Sequence, residues 1–225
     1  MKRTVQLSRI RSAGRKLLTL TMFGLACWPW AAQPAQNTGV AGVLRTGTIQ
    51  NGDISESSGL VASRQYPGVL WTHNDGGNQP VLYAITQAGK SLGSYTIIGS
   101  AINDWESIAA DSGGNLYLAD IGDNNGKRKR VAVHRLREPN PGSSGSALIE
   151  QTWRLEYPGS SMDAESFFVA GGNGYILSKE RKNDRATLFR FPLSQAKVLK
   201  LQQVAKIKIG SSPAGADLSD RKSVV

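Results

Sequence analysis

From Ser57 onward, hydrophobic and polar positions alternate in runs of five to eight residues, separated by turns rich in glycine, proline and asparagine. That period-two pattern predicts short strands, each with one buried face, rather than helices. The pattern also repeats. SSGLVASRQYPGVLWTHNDGGNQPVLYAI from Ser57, WESIAADSGGNLYLADIGDNNGKRKRVAVHRL from Trp105 and AESFFVAGGNGYILSKERKNDRATLFRF from Ala164 superpose, and GADLSDRKSVV from Gly215 begins a fourth copy. With Ser58, Glu106, Glu165 and Ala216 as equivalents, the copies are offset by 48, 59 and 51 residues.

Each copy predicts four strands in the same order. A short apolar strand (Leu60–Ala62, Ile108–Ala110, Phe167–Val169) meets a turn at Tyr66-Pro67-Gly68, Ser112-Gly113-Gly114 or Gly171-Gly172-Asn173. VLWTH, LYLAD or YILSK follows, then a polar loop, then VLYAI, VAVHRL or TLFRF, and finally SLGSYTII, QTWRLEY or VAKIKI. The last of these, within KVLKLQQVAKIKI, also has some helical spacing. Four short strands per repeat of this length point to an all-β chain built as a β-propeller, one four-stranded blade per copy. A two-sheet sandwich is the alternative, but it does not require the polar loops to recur in place. Val40–Ile49 is a further strand candidate ahead of the first copy.

WTHNDGGNQPVLYAI, NDWESIAAD, LYLADIGDNN and DAESFF resemble motifs of secreted bacterial β-propeller proteins, whose broader relatives are phytase-like and gluconolactonase- or regucalcin-like propellers. The resemblance runs from about Ile54 to the C-terminus. It implies six or more blades, whereas the fourth copy stops at Val225. The expectation is therefore about three blades plus the start of a fourth, an incomplete six-bladed type truncated at its C-terminus; a compact four-bladed ring is the alternative. Because propellers host many activities, the resemblance speaks to fold more than to chemistry.

Residues 1–36 have a different character. Six basic residues among the first 16 precede the apolar run Leu17–Ala32, which is interrupted by Pro29, and small residues follow. This is the layout of a signal peptide, too short for a comfortable membrane span. The propeller domain is then 37–225, in a secreted or periplasmic protein. The only cysteine, Cys27, sits in GLAC, a poor lipobox with Gly24 where a large aliphatic belongs; lipid anchoring, and with it a membrane partner, requires Cys27 to be modified. The export segment holds six of the 27 Lys+Arg and none of the 17 Asp+Glu, so the remainder carries a formal charge of only +4, which gives no case for nucleic-acid binding. The domain has no disulfide.

The chemistry collects in the polar loops. In a propeller the lead-in to the innermost strand and the loop after the second strand open on one face, so residues distant in sequence meet at one funnel mouth. Asp104, Glu106, Asp120, Asp123, Asp163 and Glu165 are the candidate metal ligands, and His73, Asn74, Asp75, Trp105, Lys179 and Glu180 the candidate ligand-binding residues. Carboxylates and amides suit Ca²⁺ rather than Zn²⁺. DIGDNNG looks like a calcium loop, with its acids out of register. Asp and Asn are also ordinary turn residues, so a structural role for each stands beside the functional one. Two histidines, His73 and His134, exclude a three-histidine zinc site; His134 is expected on the surface or packed between blades. GSSGS at 142–146 reads as a loop, and Trp71, Trp105 and Trp153 as packing residues, Trp105 doubling as a surface for a sugar. Lys127–Arg130 reads as a solvated hairpin tip or an anion contact. Two functions follow: a non-catalytic module that binds a small molecule, glycan or protein across the funnel, and a Ca²⁺-dependent hydrolase of phosphoesters or lactones.

Overall fold

The computed structural model describes residues 36–39, 43–180, 185–194, 198–210 and 212–217. Residues 1–35, expected to be an export segment, lie outside them, as do those beyond 217, where a fourth copy is expected. Among the described residues every regular element is a strand, and the sixteen strands form four sheets. β1 (Gln36–Asn37) and β2 (Leu44–Arg45) make a small antiparallel pair. Then follow β3 (Ser57–Ala62), β4 (Val69–Asn74), β5 (Val81–Thr86), β6 (Ser91–Ile98), β7 (Trp105–Ala110), β8 (Asn115–Asp120), β9 (Val131–Arg137), β10 (Gly145–Leu148) and β11 (Gln151–Glu156). The last five are β12 (Ala164–Ala170), β13 (Asn173–Ser178), β14 (Arg185–Pro192), β15 (Val198–Lys200) and β16 (Gln202–Lys208).

All twelve strands expected from the three copies are present, and each copy is one antiparallel meander: β3-β4-β5-β6, β7-β8-β9-β11 and β12-β13-β14-β16. The segment with mixed spacing, 198–208, is β15 and β16. The turn closing each first hairpin carries a glycine at positive φ, Gly68 (82°), Gly114 (77°) and Gly172 (73°), a backbone state that a side chain resists.

Besides β1, two strands were not expected. GSSGS is a loop only up to Ser144; Gly145 and Ser146 open β10, which adds to the first sheet in parallel beside β6. β15 does the same for the second sheet beside β11. A strand from each later copy thus extends the outer edge of the earlier sheet. Both are short and largely exposed, too short for an alternation to show. Of the expected strand Val40–Ile49, residues 40–42 lie outside the described residues and only Leu44–Arg45 of the rest is a strand; Thr46 Oγ1 donates to Gln87 O (2.9 Å) and Gln50 N to Gly89 O (2.9 Å), which holds this segment against the β5–β6 turn. Residues 215–217 form no strand.

The second sheet has a core on each face. One, toward the first sheet, gathers Trp71, Leu82, Trp105, Ile108, Leu116, Leu118 and Leu136. The other, toward the third sheet, gathers Tyr117, Val133, Trp153, Leu155, Phe167, Phe189 and Phe191. The alternation within β8 explains the split: even positions face one neighbour and odd positions the other. Trp71, Trp105 and Trp153 are buried, as expected of packing residues. The first strands lie together, β7 against both β3 and β12.

Candidate metal centre

Each first strand carries the same irregularity. Pairing slips by one residue between Ser57 and Gly59, between Trp105 and Ser107, and between Ala164 and Ser166. The bulged residues are therefore Ser58, Glu106 and Glu165, the three positions that the repeat aligns. A β-bulge re-aims its side chain relative to the regular pleat, and here it does so at one place in all three sheets.

Around Glu106 the chain brings three carboxylates together. One oxygen each of Asp75, Asp104 and Glu106 lies within 4.8 Å of the others, with Glu106 buried, Asp104 half-buried and Asp75 exposed. They come from the loop after β4, the residue before β7 and the bulge in β7. Two glycines wall the group. A Cβ at Gly76 would run into Asp104 Oδ1, and one at Gly122 into the carboxylates of both Asp104 and Glu106. Ser58 Oγ donates to Glu106 Oε2 (3.2 Å), and Gly76 N to Asp75 Oδ1 (2.7 Å). Among the described residues no lysine or arginine pairs with the three acids.

The electrostatics follow from that crowding. Burial, then the charges of Asp75 and Asp104, push the Glu106 carboxyl up to about 7, against the opposing effect of the Ser58 hydrogen bond. Asp104 is also raised, by burial first and then by Asp75, with Arg128 acting in the other direction. Asp163 acts on both, so the acidic corners of the second and third sheets lie at the same end. Three oxygens so placed are a hard donor set of the kind Ca²⁺ takes, as part of the six to eight it needs; the residues fit such an ion.

The other expected acids are engaged in building the rim. Asp120 accepts from Asn103 N (3.1 Å) and Asp104 N (2.9 Å) and pairs with Arg128 (2.8 Å). Asp123 caps its own loop, accepting from Lys127 N and Arg128 N at 2.9 Å each, and Asp163 Oδ1 accepts from Asp123 N (2.9 Å). Glu165 forms an ion pair with Lys179. Glu180 accepts from Thr187 Oγ1 (2.8 Å) and Ser178 Oγ (3.3 Å). Asn74 Oδ1 accepts from Glu56 N (3.2 Å) and its Nδ2 donates to Asp53 O (2.7 Å), closing the first sheet as Asp120 closes the second. His73 is buried, its Nδ1–H donating to Asn74 O (2.8 Å), and its ring meets Trp105 edge-on at 5.3 Å. Burial lowers its pKa. Trp105 is only 2% exposed, which leaves no face for a sugar; it forms one wall of a cavity of about 200 Å³ that also includes Asp75, Asn78 and Asn103.

The sequence pattern singled out Glu106 and Asp104 but set Asp75 among the ligand-binding residues and did not identify Ser58, Gly76 or Gly122 as parts of the site. The equivalence of Ser58 with Glu106 was the available signal, since the strands that carry them, β3 and β7, lie side by side. Arg128 is not a solvated tip: besides pairing with Asp120 it donates from Nη1 to Gly122 O (2.6 Å) and ties the loop down.

No family model matches the chain, and no curated protein matches it. Among solved structures it is similar to the computationally designed Ika4 protein, at 9% identity and a TM-score of 0.38, over 77% of this chain and 85% of that one. It is also similar to Kuenenia stuttgartiensis hydrazine synthase, at 13% identity and a TM-score of 0.40, over 78% of this chain and 41% of that one. A third similarity, at 11% identity and a TM-score of 0.39, is to the Chaetomium thermophilum polycomb repressive complex 2, over 74% of this chain and 40% of that one.

Proposed function

We propose that this is an exported ligand-binding module of β-propeller type, whose acidic rim takes a divalent cation, Ca²⁺ by its donor chemistry, at Asp75, Asp104 and Glu106. The observation that carries the reading is the glycine-walled trio: three carboxylate oxygens within 4.8 Å of one another and no basic side chain paired with them among the described residues. Its contrast with Asp120 and Glu165, which have their own cations, sets the trio apart from the structural acids. A bound ion would offset the mutual repulsion that raises Glu106 and would present its free coordination positions to an anionic or hydroxyl-rich ligand.

The propeller reading is supported by the recurrence of one meander per repeat, by first strands that lie side by side, and by the bulge at the same residue of each. Export is supported by the basic-then-apolar start of the chain.

The test is thermal melting with CaCl₂ against EDTA. A hundredfold excess over Kd stabilises by about 2.7 kcal/mol, which for a domain of this size is a rise of roughly 5–10 °C. Magnesium at the same concentration should do less. No calcium-dependent shift would remove the reading. A second reading, Ca²⁺-dependent hydrolysis of a phosphoester or lactone, draws on the cavity beside Asp75, which would seat a substrate group next to the ion. Turnover of a generic phosphoester or lactone that EDTA abolishes would favour it.

A further inference from the structure

On the face of the second sheet turned toward the first lies a cavity of about 430 Å³ between the segment 99–101 and strands β8, β9 and β11; Asp120, which accepts from Asp104 N, is part of its wall. Its volume falls in the range of small-molecule sites. Its chemistry is basic. Arg128, Arg130 and Arg154 line it, with Asp120, His134 and Thr152. Arg128 is held by Asp120 (2.8 Å) and Arg130 by Glu156 (2.7 Å), but the guanidinium of Arg154 makes no ion pair among the described residues. Arg154 pairs across the sheet with Ala132 and Thr152 with His134, so small side chains leave the floor open between the guanidinium groups and the imidazole.

His134 supplies the second observation. The ring is 1% exposed, Nδ1 lies 2.9 Å from Thr152 Oγ1, and Nε2 has no hydrogen-bond partner. A buried polar atom without a partner is uncommon in folded proteins and calls for an explanation, an ordered water or a bound group among them. Burial keeps the ring neutral at pH 7, with a pKa of about 4. Nδ1 and the Thr152 hydroxyl share one hydrogen bond, and which of them donates follows the ring tautomer.

We propose that this cavity binds a tetrahedral oxyanion, a phosphoryl or sulfuryl group, with Arg154 and Arg130 as guanidinium contacts and the His134 imidazole lining the wall beside them. Guanidinium forks suit such oxygens, two at a time. Glu156 would share Arg130 with the anion, while Arg128 would remain with Asp120 as the wall behind it.

The chain has only two histidines, which makes the test direct. Inorganic phosphate is titrated into the ¹⁵N-labelled protein in EDTA at constant ionic strength, and the imidazole nitrogens are followed by NMR. The Nε2 signal of His134 should move saturably while that of His73 stays, and Arg154→Gln should weaken the response at least tenfold. Arg154 is exposed, so this variant should melt as the wild type does; Arg130→Gln provides a second arm with the same expectation. Tighter binding of a sugar phosphate than of inorganic phosphate would assign the group to an esterified ligand, and equal binding to the free oxyanion. A response unchanged in both arginine variants, or equal at both histidines, or reproduced by chloride, would overturn the proposal. Because EDTA is present throughout, the outcome is independent of the cation reading.

Discussion

Ser58 and Glu106 are the bulged residues of β3 and β7, and they touch: Ser58 Oγ donates to Glu106 Oε2 (3.2 Å) and to Glu106 O (3.3 Å). A periodicity of 48 positions along the chain has become a contact in space. The hydrogen bond also tempers the most perturbed carboxyl of the acidic group, since it favours the charged form that burial and neighbouring charges disfavour. Ser58→Ala should therefore push the Glu106 pKa further above 7 and cost about 1 kcal/mol. Carboxyl titration by NMR checks the direction; a pKa that falls would show that the serine plays no such part.

Glu106 itself should make the metal-free protein less stable as pH rises. Its folded pKa of about 7 lies above the ordinary carboxyl value of 4.5, so between those values the folded state holds the proton more tightly. Stability from this group is complete below pH 4.5 and is lost as pH climbs through 7. Glu106→Gln removes the dependence. In EDTA at pH 8 the variant should melt higher than wild type, and it should show no response to CaCl₂. A variant that melts lower at pH 8 and still responds to calcium would refute both the electrostatic account and the ligand role.

Most of this fold was legible in the alternation and the turns because each strand buries one face and each hairpin needs a particular turn. The site was legible only in part, for a physical reason. Asp120, Asp123 and Asp163 are aspartates on polar loops like Asp75, yet loop amides and Arg128 engage them, and sequence spacing alone does not tell a carboxylate that caps amides from one that is left to other carboxylates. β10 and β15 escaped notice because an exposed edge strand of three or four residues has no hydrophobic period. Glu106 and Glu165 were matched correctly as positions but differ in partner: Lys179 follows β13, whereas the position after β8 is Ile121.

Gly122 tests the cradle without touching a carboxylate. An added Cβ would meet Asp104 and Glu106, so Gly122→Ala should cost about 1–3 kcal/mol through overpacking and abolish the calcium-dependent rise in melting temperature. Gly52→Ala is the control, since nothing lies within 4 Å of the added carbon. Equal melting curves and equal calcium responses for the two variants would mean that the space behind the acids is not needed.

His134 should act on acid stability in the opposite sense to Glu106. Its folded pKa of about 4 lies below the ordinary 6.5 because burial disfavours the charged ring. The stability it allows is complete above pH 6.5 and is lost as pH falls through 4. His134→Gln should flatten the loss of melting temperature over that window while leaving the curve above pH 7 in shape. An unchanged acid limb would place the titration elsewhere.

The first two sheets are also joined by a buried carboxylate well away from the candidate centre. Glu138, just after β9, accepts from Trp71 Nε1 of β4 (2.7 Å) and from Ser63 Oγ. Trp71 is fully buried in the core between these sheets, and without Glu138 its N–H would have no partner. Hydrogen bonds to a charged group contribute about 1.5–3 kcal/mol, and leaving a buried donor unsatisfied costs its desolvation as well. Glu138→Ala should thus lower stability by about 2–3 kcal/mol. Trp71→Phe also loses packing, so the cycle of the two single variants and the double variant isolates the bond. The expected coupling is about 1 kcal/mol or more, read by urea denaturation. Additive losses would show that Glu138 stabilises through Ser63 or through its own packing, and that the indole N–H contributes nothing to joining the sheets.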